Sequence, residues 1–144
     1  MDDNHEESER TMRLSHFTIE HAPDGVVWID SEGRVYHVNE AICRMFGHSR
    51  DELIGAYAHE FHLEVDEEIW REEWRKQWAE LKENKVLNYE RPHLTKDGDW
   101  IPLEITQNFI EFEGTEYSCV FFRDITERKR AEEELRESQR KLAT

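Results

Sequence analysis

Cysteine is scarce: the 144 residues hold only Cys43 and Cys119, far apart and each among apolar neighbours. That excludes a disulfide framework, and both read as buried thiols. Basic residues are scarce as well, 19 Lys and Arg against 34 Asp and Glu, for a formal net charge of −15. Contact with nucleic-acid phosphates or an anionic lipid surface would begin with like-charge repulsion, so neither partner is expected. No apolar run approaches the roughly 20 residues that span a bilayer. The N-terminus MDDNHEESER is acidic where a signal peptide is basic and then apolar, so the expected location is cytoplasmic. Enzyme signatures are missing too: there is no Gly-rich phosphate loop, no nucleophile elbow and no framed acid pair, and no catalytic residue is assigned.

What remains is enough for one folded unit. Hydrophobic residues make up 37% of the chain, with five Trp and seven Phe, while charged residues also reach 37%. One core with heavily charged ends is the expectation. Residues 1–13 are acidic, show no periodic apolar face and are expected to form a flexible lead-in. LSHFTIEHA then sets Leu14, Phe17 and Ile19 on a short helix that Pro23 halts. VVWID and RVYHV, joined at Gly33, read as an antiparallel strand pair. Asn39 is placed to cap EAICRMF, Gly47 to end it, and Ser49 with Glu52 to form a capping box for a second short helix. Between Val65 and Asn84, Trp70, Trp74, Trp78 and Leu81 recur at helical spacing on one face. VLNYERPHL, WIPLEITQNFIEF and EYSCVFFRD follow as three strands, with turns at Asp97-Gly98 and Gly114. The class is α+β.

That order, with APDGVVWIDSEGRVYHVNEA, HSRDELIG, TKDGDWIPLEI and FFRDITERKRAEEEL, resembles the PAS sensor domain with its PAC segment, over roughly residues 14–130. The resemblance implies a PAS fold: a five-stranded antiparallel sheet of order 2-1-5-4-3, helices over one face around a small pocket, an N-terminal flanking helix and a C-terminal signalling helix. The expected layout is a sensor domain at 14–126 and a signalling helix at 127–144. In similar proteins the last strand feeds a helix that continues as a coiled coil to an output module. Here Arg128, Ala131, Leu135, Ser138 and Leu142 fall on one heptad seam, with only Leu135 and Leu142 large and apolar. The relay is expected at Asp124, Ile125, Thr126, Glu127, Leu135 and Leu142, with Asp124 and Glu127 as a capping arrangement at the strand-to-helix joint. The plain alternative is a solvated helix laced with i,i+4 ion pairs. The end at RKLAT, inside the seam, suggests a fragment of something longer, though a free-standing signalling domain stays open.

Ligand-pocket candidates are Trp28, Trp70, Trp74, Trp78, Tyr89, Ile105 and Phe121, which together would enclose a flat or apolar ligand. The alternative is that the tryptophan stripe is ordinary core. Glu90, Arg91 and His93 are offered either as polar pocket contacts or as a cross-strand ion pair, because Pro92 interrupts the alternation that would assign the inward face. No cofactor is assigned. Haem is disfavoured because haem-binding relatives place a His on the long helix and residues 66–83 contain none; His59 and His62 are the nearest His pair. Covalent flavin is disfavoured because YAHEFHLEV lacks the Gly-Asn-Cys-Arg context it needs and Cys43 lies in the apolar AICRMF. No zinc site is expected. Two readings follow. One is a sensory module that passes a ligand or redox cue to a histidine kinase or diguanylate cyclase, the other a ligand-free interaction and dimerisation domain or the sensor of a transcriptional regulator. A homodimer is expected in either case.

Overall fold

The computed structural model describes residues 2–61 and 66–143. Helix α1 (Asp2–Glu20) leads into β1 (Gly25–Asp30) and β2 (Val35–Val38), then α2 (Glu40–Phe46), α3 (Arg50–Leu53) and a single 3-10 turn at Ala58–Phe61. Helix α4 (Glu67–Asn84), strands β3 (Val86–Leu94), β4 (Trp100–Phe112) and β5 (Thr115–Asp124), and helix α5 (Thr126–Ala143) complete the chain. The five strands form one antiparallel sheet in the order β2-β1-β5-β4-β3, as the resemblance implies. Val65 and His62, named in the sequence reading, lie outside the described residues.

Local chemistry places the short elements. Asn39 Oδ1 accepts from Ile42 N at the start of α2, and Gly47, at φ 78°, closes it by donating to Cys43 O. The Ser49–Glu52 capping box is present at α3. Asn39 does more than cap: it is fully buried, accepts from Val26 N at 2.9 Å and donates Nδ2–H to Ile19 O at 2.8 Å and Asp24 O at 3.0 Å. One amide thereby ties the end of α1, the start of β1 and the start of α2.

Pairing register sets which side chains face the helices. Val27 lies opposite Val120 and Phe122 opposite Ile105, so these four share the inner face. With Ile29, Val35, Val38, Ile42, Leu53 and Leu103 they form the core. Trp28 lies opposite Cys119 and Val26 opposite Phe121, which puts all four on the outer face.

The lead-in expected at residues 1–13 is helical from Asp2 onward. Missing apolar periodicity there signals exposure, not loss of helix: Glu9 pairs with His5 at 3.0 Å and with Arg13 at 4.0 Å, both at i,i+4 spacing.

Candidate functional site

The expected pocket and relay map to two places in the fold: the interior between sheet and helices, and the joint where β5 becomes α5.

The interior holds an apolar cavity of about 90 Å³, bounded by Val27, Ile29, Ile42, Leu53 and Phe122, with His48 and His93 at its edge. His93 meets the rings of Phe46 and Phe122 at 5.6 and 5.8 Å. His48 Nδ1 lies 3.1 Å from Glu52 Oε2. That contact, then the Lys96 ammonium, then the Ser49 N–H hold the Glu52 carboxyl down at about 2. Two polar atoms on the inner face are buried without hydrogen-bond partners among the described residues, Gln107 Oε1 and Ser118 Oγ. They are not among the residues that bound the cavity. Neither was singled out from sequence, although Gln107 sits between inward Ile105 and Phe109 at strand spacing and Ser118 two residues before inward Val120.

The pocket candidates divide. Ile105 and Tyr89 pair with each other and face inward, and Tyr89 OH accepts from Gln77 Nε2 of α4 at 3.1 Å. Trp28 and Phe121 do not join them. The register sends both to the outer face, where Trp28 packs on His37 at 4.9 Å and Phe121 is 42% exposed. Trp70, Trp74 and Trp78 form a continuous stack, 5.2 Å and then 5.8 Å between ring centroids. The stack runs from the β1–β2 turn, where Trp74 Nε1 donates to Ser31 O at 2.9 Å, to Phe109 of β4, 6.1 Å from Trp78. Among the described residues no group of three or more His, Cys, Asp or Glu converges to hold a metal. Burial pushes the Cys43 and Cys119 thiols up, which leaves neither as a reactive thiolate at neutral pH.

At the joint, Ile125 does most of the holding. Its side chain is 3% exposed, its N–H donates to Pro102 O at 3.1 Å, and its carbonyl accepts the first helical bond from Lys129 N at 2.9 Å. Asp124 Oδ1 accepts from Thr126 N at 2.9 Å and from the Thr126 hydroxyl. The capping arrangement expected of Asp124 and Glu127 is thus made by Asp124 with Thr126, while Glu127 turns out to Arg130 at 3.4 Å. A cluster of opposite charges then clamps the first turn of α5 to the sheet. Arg128 pairs with Glu90 of β3 and lies 3.7 Å from Glu104 of β4, and Lys129 Nζ lies 3.0 Å from Glu90. The Lys129 hydrogen bond first, with the charges of Lys129 and Arg128 behind it, holds the Glu90 carboxyl below its ordinary range. Glu90 is thus part of the joint; the sequence reading had it as a pocket contact or as a cross-strand partner. Beyond this turn no residue of α5 is buried, and Leu135 and Leu142 are 60% and 85% exposed.

Residues 19–130 match the PAS-fold family. The chain belongs to the PAS family. This PAS chain is 35% identical over 122 residues to the cell-division control histidine kinase PdhS of Brucella ovis, covering 81% of this chain and 11% of the kinase. It is 29% identical over 110 residues to the methyl sulfide methyltransferase-associated sensor of Methanosarcina acetivorans, covering 76% of this chain and 10% of the sensor. Its backbone superposes with TM-score 0.74 on the PAS domain of an HTR-like protein from Haloarcula marismortui, at 22% identity, covering 87% of this chain and all of that one. The chain thus spans about a tenth of the curated relatives it matches. Among the described residues no helix is long and apolar enough to cross a membrane.

Proposed function

We propose that this chain is the sensory PAS module of a sensor histidine kinase, in which a change in the interior is passed to a kinase output module through α5. Catalysis then lies outside these residues. The observation that carries this reading is the joint: buried Ile125 and the ion pairs of Arg128 and Lys129 with Glu90 and Glu104 make the exit helix and strands β3 to β5 one mechanical body. Similarity to PdhS supports a kinase as the output. The uncovered Leu135 and Leu142, with the outer-face side chains of Tyr36, Ile110 and Phe121, supply apolar surface that a second copy would cover. The interior cavity, at about 90 Å³, restricts any ligand there to a few heavy atoms. That small size favours a second reading, a ligand-free dimerisation module using the same joint.

Sedimentation velocity of the purified chain over a concentration series tests the shared requirement. The expected result is a dimer for the wild type and a folded monomer for the L135K/L142K variant, since neither leucine belongs to the core. A wild-type chain still monomeric at hundreds of micromolar would remove the relay. Native mass spectrometry separates the two readings: an added small mass on each chain favours the sensor, an empty chain the dimerisation module.

A further inference from the structure

Outside the core, between the β1–β2 turn and the first half of α4, lies a groove of about 380 Å³ that shares no residue with the interior cavity. Its size falls within the range of ~300–1,000 Å³ typical of small-molecule sites. Four aromatic side chains wall it: Tyr57, His59, Trp70 and Trp74. Tyr57 and His59 stack at 5.6 Å, His59 meets Trp70 at 5.2 Å, and Trp70 stacks on Trp74 with an interplanar angle of 14°.

The walls are fixed before any ligand arrives. Trp74 is pinned by its bond to Ser31 O. Trp70 is pressed so closely on the turn that a Cβ at Gly33, whose φ is +90°, would fall 2.8 Å from Trp70 Cη2. Tyr57 lies under the Arg34 guanidinium, 5.0 Å from its ring centroid, and accepts a hydrogen bond from it at 2.9 Å. A guest that lies against pre-set rings loses little to ordering of the protein.

The polar groups of the groove select among flat guests. Arg71 is already paired with Glu67 at 2.7 Å. Arg75 also lines the groove, and among the described residues it has no ion-pair or hydrogen-bond partner, in a chain where acids outnumber bases 34 to 19. Among the described residues His59 Nδ1 is buried with no hydrogen-bond partner, while Nε2 lies 3.6 Å from Glu67. With Arg71 offset by Glu67, Arg75 is the one arginine of the lining left to receive an anion. That balance suits a monoanion and works against a doubly charged phosphate ester. We propose that this groove binds a planar aromatic or heteroaromatic carboxylate, its ring against the aromatic walls and its carboxylate on Arg75.

The test is a titration of the chain with nicotinate, followed by tryptophan fluorescence and by amide chemical shifts, with nicotinamide and acetate as the neutral-ring and ringless-anion controls. The expected result is saturable quenching by nicotinate, with shifts centred on residues 31–33, 57–59 and 70–75. Nicotinamide, acetate and nicotinate with the R75Q variant should each bind about tenfold more weakly or worse, the scale of one charge-assisted contact. Arg75 is exposed, so the variant should keep the wild-type Tm. Unsaturable quenching, an R75Q affinity equal to wild type, or shifts centred on His93 and Phe122 would each overturn the assignment. The last outcome would place the ligand in the interior and leave the proposed function standing.

Discussion

Replacing Ile125 by Ala probes what holds the exit helix to the sheet. The side chain is 3% exposed and sits between the last strand and the first turn of α5. Removing its outer carbons from a site that cannot fully collapse costs about 2–4 kcal/mol. For a domain of this size a loss of that order lowers Tm by roughly 5–15 °C. The competing anchor is the charge cluster, where the Arg128 and Lys129 side chains are 44% and 45% exposed. Ion pairs that open to solvent contribute little net stability and are screened by salt. Thermal unfolding and amide exchange of residues 126–132, at low and high salt, discriminate the two. Ile125→Ala should lower Tm strongly at both salts and speed exchange in the first turn of α5. The double change of Arg128 and Lys129 to Ala should have a small effect that disappears in high salt. A larger loss from the charge removal than from Ile125→Ala would refute the view that an apolar plug dominates the joint.

Two further outcomes follow from buried and paired polar groups. Asn39→Asp keeps the oxygen that accepts from Val26 and Ile42 but sets a carboxylate oxygen against the carbonyls of Ile19 and Asp24. Stability should fall by about 2–4 kcal/mol, read from the urea midpoint, and an unchanged midpoint would contradict the fourfold role given to this amide. Glu52, held at about 2 against an ordinary 4.5, stabilises the fold above pH 4.5 and loses that contribution as pH falls toward 2. The Tm difference between wild type and Glu52→Gln should therefore be full near pH 6 and vanish near pH 2; a difference that persists at pH 2 would show that the carboxylate is not the stabilising form.

Features that depend on neighbours in sequence were legible beforehand. The caps at Asn39, Gly47 and Ser49–Glu52 are local hydrogen-bond chemistry, and β3 and β4 match the runs VLNYERPHL and WIPLEITQNFIEF residue for residue. Strand phase was harder. Val26, Trp28, Cys119 and Phe121 on the outer face are as apolar as Val27, Ile29, Val120 and Phe122 on the inner one, so alternation alone does not say which set meets the helices. Trp28 and Phe121, expected in the pocket, belong to the outer set. The clamp on α5 was invisible because Glu90 and Arg128 are 38 residues apart and meet only once β3, β4 and β5 have paired. The groove is half legible: the tryptophan spacing points to Trp70 and Trp74, but Tyr57, on an isolated bridge to Arg34, and His59, in the 3-10 turn, carry no periodic signal.

The tryptophan stripe is more than core filling, because α4 touches both the β1–β2 turn and the strands next to the exit helix. Near its start, Trp70 and Trp74 hold the β1–β2 turn. Further along, Gln77 donates to Tyr89 and Trp78 rests on Phe109. Tyr89 faces α4, and the next residue on the same strand, Glu90, faces out to Arg128 and Lys129. Successive residues of a strand point to opposite faces. A displacement of β3 by α4 thus moves Tyr89 and Glu90 together, and the exit helix is tied to the second of them. Contiguity of this kind is necessary for coupling but not sufficient; the helix must also have two arrangements of similar energy. The fold supplies a place for that too. Past the clamped first turn, α5 buries nothing against its own chain and carries only two large apolar side chains on its seam. In the proposed dimer a pairing so weakly specified would change register for little energy, with the first turn of α5 fixed to the sheet.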